Sequence, residues 1–274
     1  MKIRKLTKRK RFDTIIMRRH NAPVASPIII YITIWKGGTL KVLKGQTLTA
    51  PKLMLYGLSG VGKSSLAAKL KKPIFLDFEG GLNYLGVDRS EQYDNLDTFW
   101  VDLRGLYKDA EDGKRQYDTI VIDSVDWLVR KVVEKAAGID KYKLTETLNR
   151  SNGGYGNGKQ VLENHIRTML LPFLVLLNKS GYGICLVAHA ERKDLMDADG
   201  VDVERISPKI DVNTMNTFVE WCDNVFYLKN IEGERYLVLE GDGNVLAKNR
   251  LGLTGEVKLA EIDINKLLMP KGDK

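Results

Sequence analysis

The residues with the clearest chemical meaning lie between positions 57 and 65. Gly57-Leu58-Ser59-Gly60-Val61-Gly62-Lys63-Ser64 fits the pattern G-x-x-x-x-G-K-[ST] at every fixed position. That spacing predicts a loop whose backbone N–H groups curl around a phosphate chain. Glycines let the main chain approach an anion with no Cβ in the way. The binding set is then Gly57, Ser59, Gly60, Val61, Gly62, Lys63, Ser64 and Ser65. Lys63 supplies positive charge to the β- and γ-phosphates, and the Ser64 hydroxyl ligates a divalent cation. The ligands implied are ATP and Mg²⁺. A helix expected over 63–71 adds the positive end of its dipole.

A metal-bound nucleotide also needs a carboxylate. Thr119-Ile120-Val121-Ile122-Asp123 is an apolar strand ending in an acid, and ligands bind at that end of a parallel sheet. Asp123 is therefore the second Mg²⁺ contact, mostly through water. Many P-loop ATPases place a Glu directly after this Asp, but position 124 is Ser124. The group that orients the attacking water must come from elsewhere. Ile74-Phe75-Leu76-Asp77-Phe78-Glu79 is another apolar strand, in which Asp77 and Glu79 share a face. Glu79, nearer the strand end, is the candidate catalytic base. Asp77 reads as a satisfied structural acid.

The elements that must position these residues alternate. Strands are expected at 52–56, 74–78, 119–122 and 184–188, and helices at about 63–71, 95–108, 125–137 and 159–178. Such alternation predicts an α/β fold, a mainly parallel sheet flanked by helices. In the last helix Val161, Leu162, Ile166, Met169, Leu170, Phe173, Leu174 and Leu177 recur at helical spacing, Pro172 should kink it, and Gly181 should stop it. Beyond 211 the pattern becomes a helix over 211–221 and short strands at 223–229, 235–240 and 244–249, an antiparallel C-terminal extension. The organisation expected is a basic, disordered tail over 1–27, a short β-hairpin within 28–50, an ATPase domain over 51–258 and a C-terminal tail over 259–274.

Charge narrows the function classes. The net charge of +8 equals the excess in residues 1–20, which hold nine Lys and Arg against one acid, Asp13. The remaining residues sum to neutrality, so a basic field for phosphate backbones belongs to the tail alone. The apolar runs Ile28–Trp35 and Met169–Leu177 are far shorter than the ~20 residues that cross a bilayer, so no membrane partner is expected. The two cysteines, Cys185 and Cys222, sit in apolar surroundings and suit a reducing cytoplasm.

With these residues in place, the chain resembles the RecA-type ATPases. More narrowly, it is similar to the phage-encoded RecA-like nucleotide-binding proteins of the single-strand annealing (Sak) kind. The resemblance covers residues 50–258 and rests on five segments: GLSGVGKS at 57–64, FLDFEGG at 75–81, TIVIDSVDWL at 119–128, ICLVAHAERK at 184–193 and VLAKNRLGL at 245–253. It implies that Glu79 is the catalytic Glu, the base that orients the attacking water. It also implies that His189, where RecA carries Gln, senses the γ-phosphate. Lys248 and Arg250 would reach a neighbouring subunit's ATP, so that hydrolysis needs a homo-oligomer, a ring or a filament. Single-stranded DNA is the implied partner, with a single-strand binding protein beside it, in the cytoplasm of the phage's host. Two loops would hold the DNA. Ser151–Lys159 carries Tyr155 for base stacking, and the polar stretch 190–210 carries Arg192, Lys193, Arg205 and Lys209. That second stretch also holds six acids, so it is no basic patch. The first ~50 residues match nothing in the family, as a start codon placed too far upstream would produce. Two other readings stay open: a P-loop kinase, which would want an Arg-rich lid, and a nucleotide-gated assembly module with little turnover.

Overall fold

The structure is a computed structural model that describes residues 3–9, 12–17, 30–35, 49–136, 155–196 and 202–269. The chain divides into two units, Met1–Thr47 and Leu48–Lys274. In the first, β1 (Ile3–Arg9), β2 (Phe12–Met17) and β3 (Ile30–Trp35) form an antiparallel sheet in that order. This corrects the expected tail and hairpin. The backbone of β2 pairs residue by residue with β3, Phe12 opposite Trp35 through Met17 opposite Ile30. The β-branched run thus finds its partner upstream, and positions 39–43 lie outside the described residues.

The second unit is built on a nine-stranded sheet. Its strands are β4 (Lys52–Gly57), β5 (Pro73–Asp77), β6 (Asp88–Arg89), β7 (Thr119–Asp123), β8 (Gly183–Met196), β9 (Asp202–Pro208), β10 (Asn224–Ile231), β11 (Glu234–Val238) and β12 (Glu256–Lys258). The order is β12-β11-β10-β4-β8-β7-β5-β6, with β9 paired to the outer half of β8. From β10 to β6 every pair is parallel, while β11 and β12 add antiparallel strands at one edge. This is the mainly parallel α/β sheet that the alternation predicts, in the RecA-like P-loop NTPase architecture that the resemblance implies.

Alternation along the strands splits the core in two. Met54, Tyr56, Ile120, Ile122, Ile184 and Leu186 face one layer. There they meet α2 (Leu96–Glu111), α3 (Val125–Ala136), α4 (Asn157–His165), α5 (Leu171–Lys179) and α6 (Val212–Trp221). Leu53, Leu55, Phe75, Val121, Cys185 and Val187 face the other, against α1 (Lys63–Ala67) and the chain end at α7 (Ile264–Leu267). Both cysteines are buried, and burial pushes the Cys222 thiol up to about 12.

Several boundaries differ from expectation for local reasons. The helix over 159–178 is really α4 and α5 joined by a π-helical turn at Ile166–Leu170. That wider turn replaces a kink just before Pro172, whose ring and missing N–H disrupt the regular helical ladder. Gly181 does end the helix, in the left-handed conformation at φ 96°. Residues 190–196 and 202–208 are not loop but the paired antiparallel strands β8 and β9. Positions 244–249 form no strand; Val245 bridges Ile206 and Lys248 bridges Val225, two different partners. Residues 259–267 are no free tail either. Ile264 is buried in the second core layer, and the Asn265 side chain donates to the Lys69 carbonyl at 2.7 Å. Among the described residues no helix is long and apolar enough to cross a membrane.

Candidate functional site

Strand register gathers the candidate residues at the carboxyl edge of the sheet. Gly57 lies opposite His189, Asp123 lies opposite Val187, and Asp77 lies opposite Asp123. The strand carrying Asp123 is not beside the phosphate-loop strand; β8 runs between them and delivers His189 to the same edge. A cavity of about 260 Å³ opens there, and Lys63, Ser64, Glu79, Asp123, His189 and Arg235 all line it.

The loop itself is held by close packing. A Cβ on Gly57 would stand 2.6 Å from the Leu228 carbonyl oxygen, so only glycine fits under the neighbouring strand. Gly62 takes φ 98°, a left-handed conformation that opens the helix. Ser59, Gly60, Ser64 and Ser65 line the cavity as expected. Val61 does not; its side chain is buried in the second core layer and pins the loop to the sheet. The helix after the loop is shorter than expected. Regular geometry ends at Ala67, and turns bonded through Leu66 and Ala67 carry the chain to Leu70.

Lys63 is buried, and its ammonium donates to the carbonyls of Gly57 at 3.2 Å and Leu58 at 3.1 Å. Burial pulls its pKa below the ordinary lysine range, against the opposing pull of Asp123, Glu79 and Asp126. The Ser64 hydroxyl donates to Asp123 Oδ2 at 2.5 Å. Burial raises the Asp123 carboxyl to about 6; the Ser64 hydrogen bond and Lys63 oppose that rise, while Glu79 and Asp77 reinforce it. A hydroxyl against a buried, proton-prone carboxylate suits a hard divalent cation such as Mg²⁺. Among the described residues no group of three or more His, Cys, Asp or Glu is gathered to hold a metal. A cation here would therefore complete its shell with phosphate and water oxygens.

Asp77 and Glu79 both line the cavity but differ in their contacts. Asp77 is buried, and its Oδ1 accepts the backbone N–H groups of Glu79 at 3.0 Å and Gly80 at 2.7 Å. It fixes the turn that presents Glu79 to the cavity. Glu79 Oε1 lies 3.5 Å from His189 Nε2.

His189 has a partner that the sequence reading missed. Asp126, in the first turn of α3, accepts the backbone N–H of His189 at 3.1 Å through Oδ1 and meets the ring Nδ1 at 3.0 Å through Oδ2. This double contact fixes the ring with Nδ1–H toward Asp126 and Nε2 toward Glu79. The Asp126 hydrogen bond raises the His189 pKa; burial and Lys63 oppose that, and Glu79 adds to it. Burial alone would raise Asp126, but its contacts with His189 outweigh that and hold it below the ordinary carboxylate range. The other missed residue is Arg235, at the cavity rim on β11.

Lys248 and Arg250 do not join this cavity. Lys248 donates to the carbonyls of Val219 at 2.6 Å and Glu220 at 3.3 Å, at the carboxyl end of α6. Arg250 pairs with Asp223 at 3.1 Å, which also pairs with Lys52 at the start of β4. Both basic residues thus lie at the opposite end of the parallel strands from Lys63. Of the DNA candidates, Tyr155 is fully exposed with φ 53°, whereas positions 151–154 lie outside the described residues. Arg192 pairs with Glu204, Lys193 with Glu191, and Arg205 donates to the Asp242 carbonyl at 2.9 Å. Lys209 is exposed.

With this geometry in hand, the family can be read. The family model described as an AAA domain matches residues 49–251. The chain belongs to the AAA domain family. Its matched span contains every residue of the cavity wall named above, and the AAA domain is an ATPase-type P-loop domain that binds nucleotide. The SPbeta prophage-derived uncharacterized protein YorG of Bacillus subtilis (strain 168) is 27% identical over 194 residues, covering 69% of this chain and 52% of YorG. The AAA domain chain thus spans about half the length of that curated relative. Among solved structures, the KaiC-like protein PH0186 from Pyrococcus horikoshii OT3 aligns over 77% of this chain and 90% of its own at 16% identity, with a TM-score of 0.37.

Proposed function

We propose that this AAA domain chain binds Mg²⁺ and ATP and hydrolyses the γ-phosphate with Glu79 as base. We further propose that it acts on single-stranded DNA in phage recombination, as a Sak-type annealing protein. One observation carries the catalytic half: Lys63, Ser64, Asp123, Glu79 and His189, drawn from four separate segments, line one cavity. Mg²⁺, held by Ser64 and Asp123, would neutralise charge on the phosphate oxygens. The backbone of the loop and Lys63 hold the phosphates, and Glu79 orients water and takes its proton. His189 Nε2, aimed into the cavity, reports the γ-phosphate. The DNA half is supported by the resemblance in segment order, by the prophage derivation of YorG, and by the fully exposed Tyr155 at the mouth of α4.

The test is the rate of ATP hydrolysis with and without single-stranded DNA, alongside oligonucleotide binding at low and high salt. Stimulation by DNA and binding that weakens with salt are expected. Absence of binding at low salt, with and without ATP, would end the DNA reading. The nucleotide-gated module has one observation in its favour. Lys248 and Arg250, the cations proposed to act on a neighbour, are engaged within their own chain. Very slow turnover with ATP-dependent assembly would support it.

Asp126 gives a separate expectation. Replacing it with Asn removes the charge that raises the His189 pKa, so the ring titrates at lower pH. If imidazolium donates to the γ-phosphate, the alkaline limb of kcat moves to lower pH. kcat at neutral pH should then fall by about ten- to a hundredfold, the worth of a charged hydrogen bond of ~1.5–3 kcal/mol. NMR titration of the histidine rings checks it, with His189→Asn assigning the signal among the three histidines. An unchanged midpoint in Asp126→Asn would refute it.

A further inference from the structure

We propose that Arg235 is an intrachain phosphate-binding residue, closing the cradle over Gly62 and gripping the polyphosphate of the bound nucleotide. This rests on the nucleotide reading of the cavity and names a contact that neither the loop motif nor the family resemblance supplies.

The strand registers put Arg235 there. Gly57 pairs with Leu228, and β10 continues past that level to Ile231. The chain then turns back, and β11 sets Arg235 opposite Asn230. The β10–β11 hairpin therefore overhangs the loop, with Arg235 two residues beyond the level of Gly57. Alternation decides where the side chain goes. Leu237, on the same face, is buried with Val61 and Leu66 in the layer beneath the loop. Glu234 and Tyr236 take the other face, where both engage Lys258. The neighbouring carboxylate thus points away from Arg235. Its guanidinium has no hydrogen-bond or ion-pair partner among the described residues, although the surface around it is rich in pairs.

The approach to the loop is close. A Cβ at Gly62 would stand 2.9 Å from Arg235 Nη1, so a side chain at position 62 would push the guanidinium off the cradle. The charge balance of the cavity asks for such a group. Asp77, Glu79 and Asp123 line it against one buried lysine, Lys63. A polyanion entering that wall meets repulsion unless further cations face it. A planar guanidinium with paired N–H donors is the side chain best matched to two phosphate oxygens. Lys248 and Arg250 stand at the other end of the strands and are held by Val219, Glu220 and Asp223, so Arg235 is the arginine of this chain that the cavity presents.

Calorimetric titration of the full chain with ATP, ADP and AMP tests this, using wild type, Arg235→Gln, Arg235→Lys and Lys63→Ala. Arg235 is exposed, so the substitutions should leave the melting temperature unchanged. Arg235→Gln is expected to weaken ATP and ADP by about tenfold or more and to leave AMP within about twofold. Arg235→Lys should recover part of the loss, because charge returns without the fork. ATP affinity within about twofold of wild type in Arg235→Gln would overturn the proposal. So would an equal loss for AMP, which would put the contact on the nucleoside. Lys63→Ala separates the two levels. If it too binds ATP normally, the nucleotide reading of the cavity fails; if it alone loses ATP, only the role of Arg235 fails.

Discussion

Glu79→Gln is expected to lower kcat for ATP hydrolysis by about a hundredfold or more, roughly 3 kcal/mol of transition-state stabilisation, with ATP affinity nearly unchanged. Glutamine keeps the shape of the side chain and can still meet His189 Nε2, but it cannot take a proton from water. The split between kcat and binding follows from position. Glu79 stands at the cavity wall with about a third of its side chain exposed, where water reaches it, and it makes none of the loop's contacts. Rescue by the neighbouring acid is not expected. Asp77 also lines the cavity but is buried, and the N–H groups of Glu79 and Gly80 occupy its Oδ1, so it is committed to the turn. Ser124, directly after Asp123, the proposed metal ligand, is fully buried and offers no carboxylate. Steady-state kinetics together with ATP titration measure the split. A kcat within a few fold of wild type would remove Glu79 from the mechanism and favour a nucleotide-gated module.

How much of this was legible in the sequence depends on whether a residue's role is written in its local pattern. The loop at 57–64 and the strand ending at Asp123 carry their meaning in consecutive residues, and the structure sets both at the carboxyl edge of a parallel sheet. That Asp77 is held by backbone N–H groups while Glu79 stays more exposed follows from position, because a strand end exposes the later acid. Asp126 lies within the segment TIVIDSVDWL yet carries no local signal, since its partner His189 is 63 residues away on another strand. Arg235 was less visible still. In sequence it is one basic residue in a short strand, and only the overhang of β10 past Gly57 sets it over the phosphate loop. The N-terminal strands were hidden by charge. Residues 1–20 look like a solvated tail, and the pairing of β2 depends on the β-branched run at 30–35. Likewise Lys248 and Arg250 look like an exposed strand edge, but the segment forms only bridges; Lys248 donates to the Val219 carbonyl, and Arg250, still largely exposed, pairs with Asp223.

Lys63→Met is expected to abolish measurable ATP binding, a loss of about a hundredfold or more, while leaving the nucleotide-free protein no less stable. The two halves have one cause. Lys63 is held in a buried position where desolvation pulls its pKa down, so its charge is carried at a cost that the loop carbonyls and nearby carboxylates only partly offset. Methionine keeps the length and the packing and removes that cost. It also removes the one lysine facing the phosphates across a wall that holds Asp77, Glu79 and Asp123. The effect spreads to the metal position. Lys63 is one of two groups that hold the Asp123 carboxyl down against burial, so without it that pKa climbs above about 6. The sign then follows: more Asp123 is protonated at neutral pH, and less carboxylate is available to a divalent cation. Thermal melting with and without ATP and Mg²⁺ reads both halves at once. Wild type should gain stability with ligand, by the mass-action relation that links occupancy to melting. Lys63→Met should melt at or above the wild-type temperature without ligand and show no gain with it. A ligand-dependent gain equal to wild type would mean that the loop at 57–64 does not hold its phosphates through Lys63.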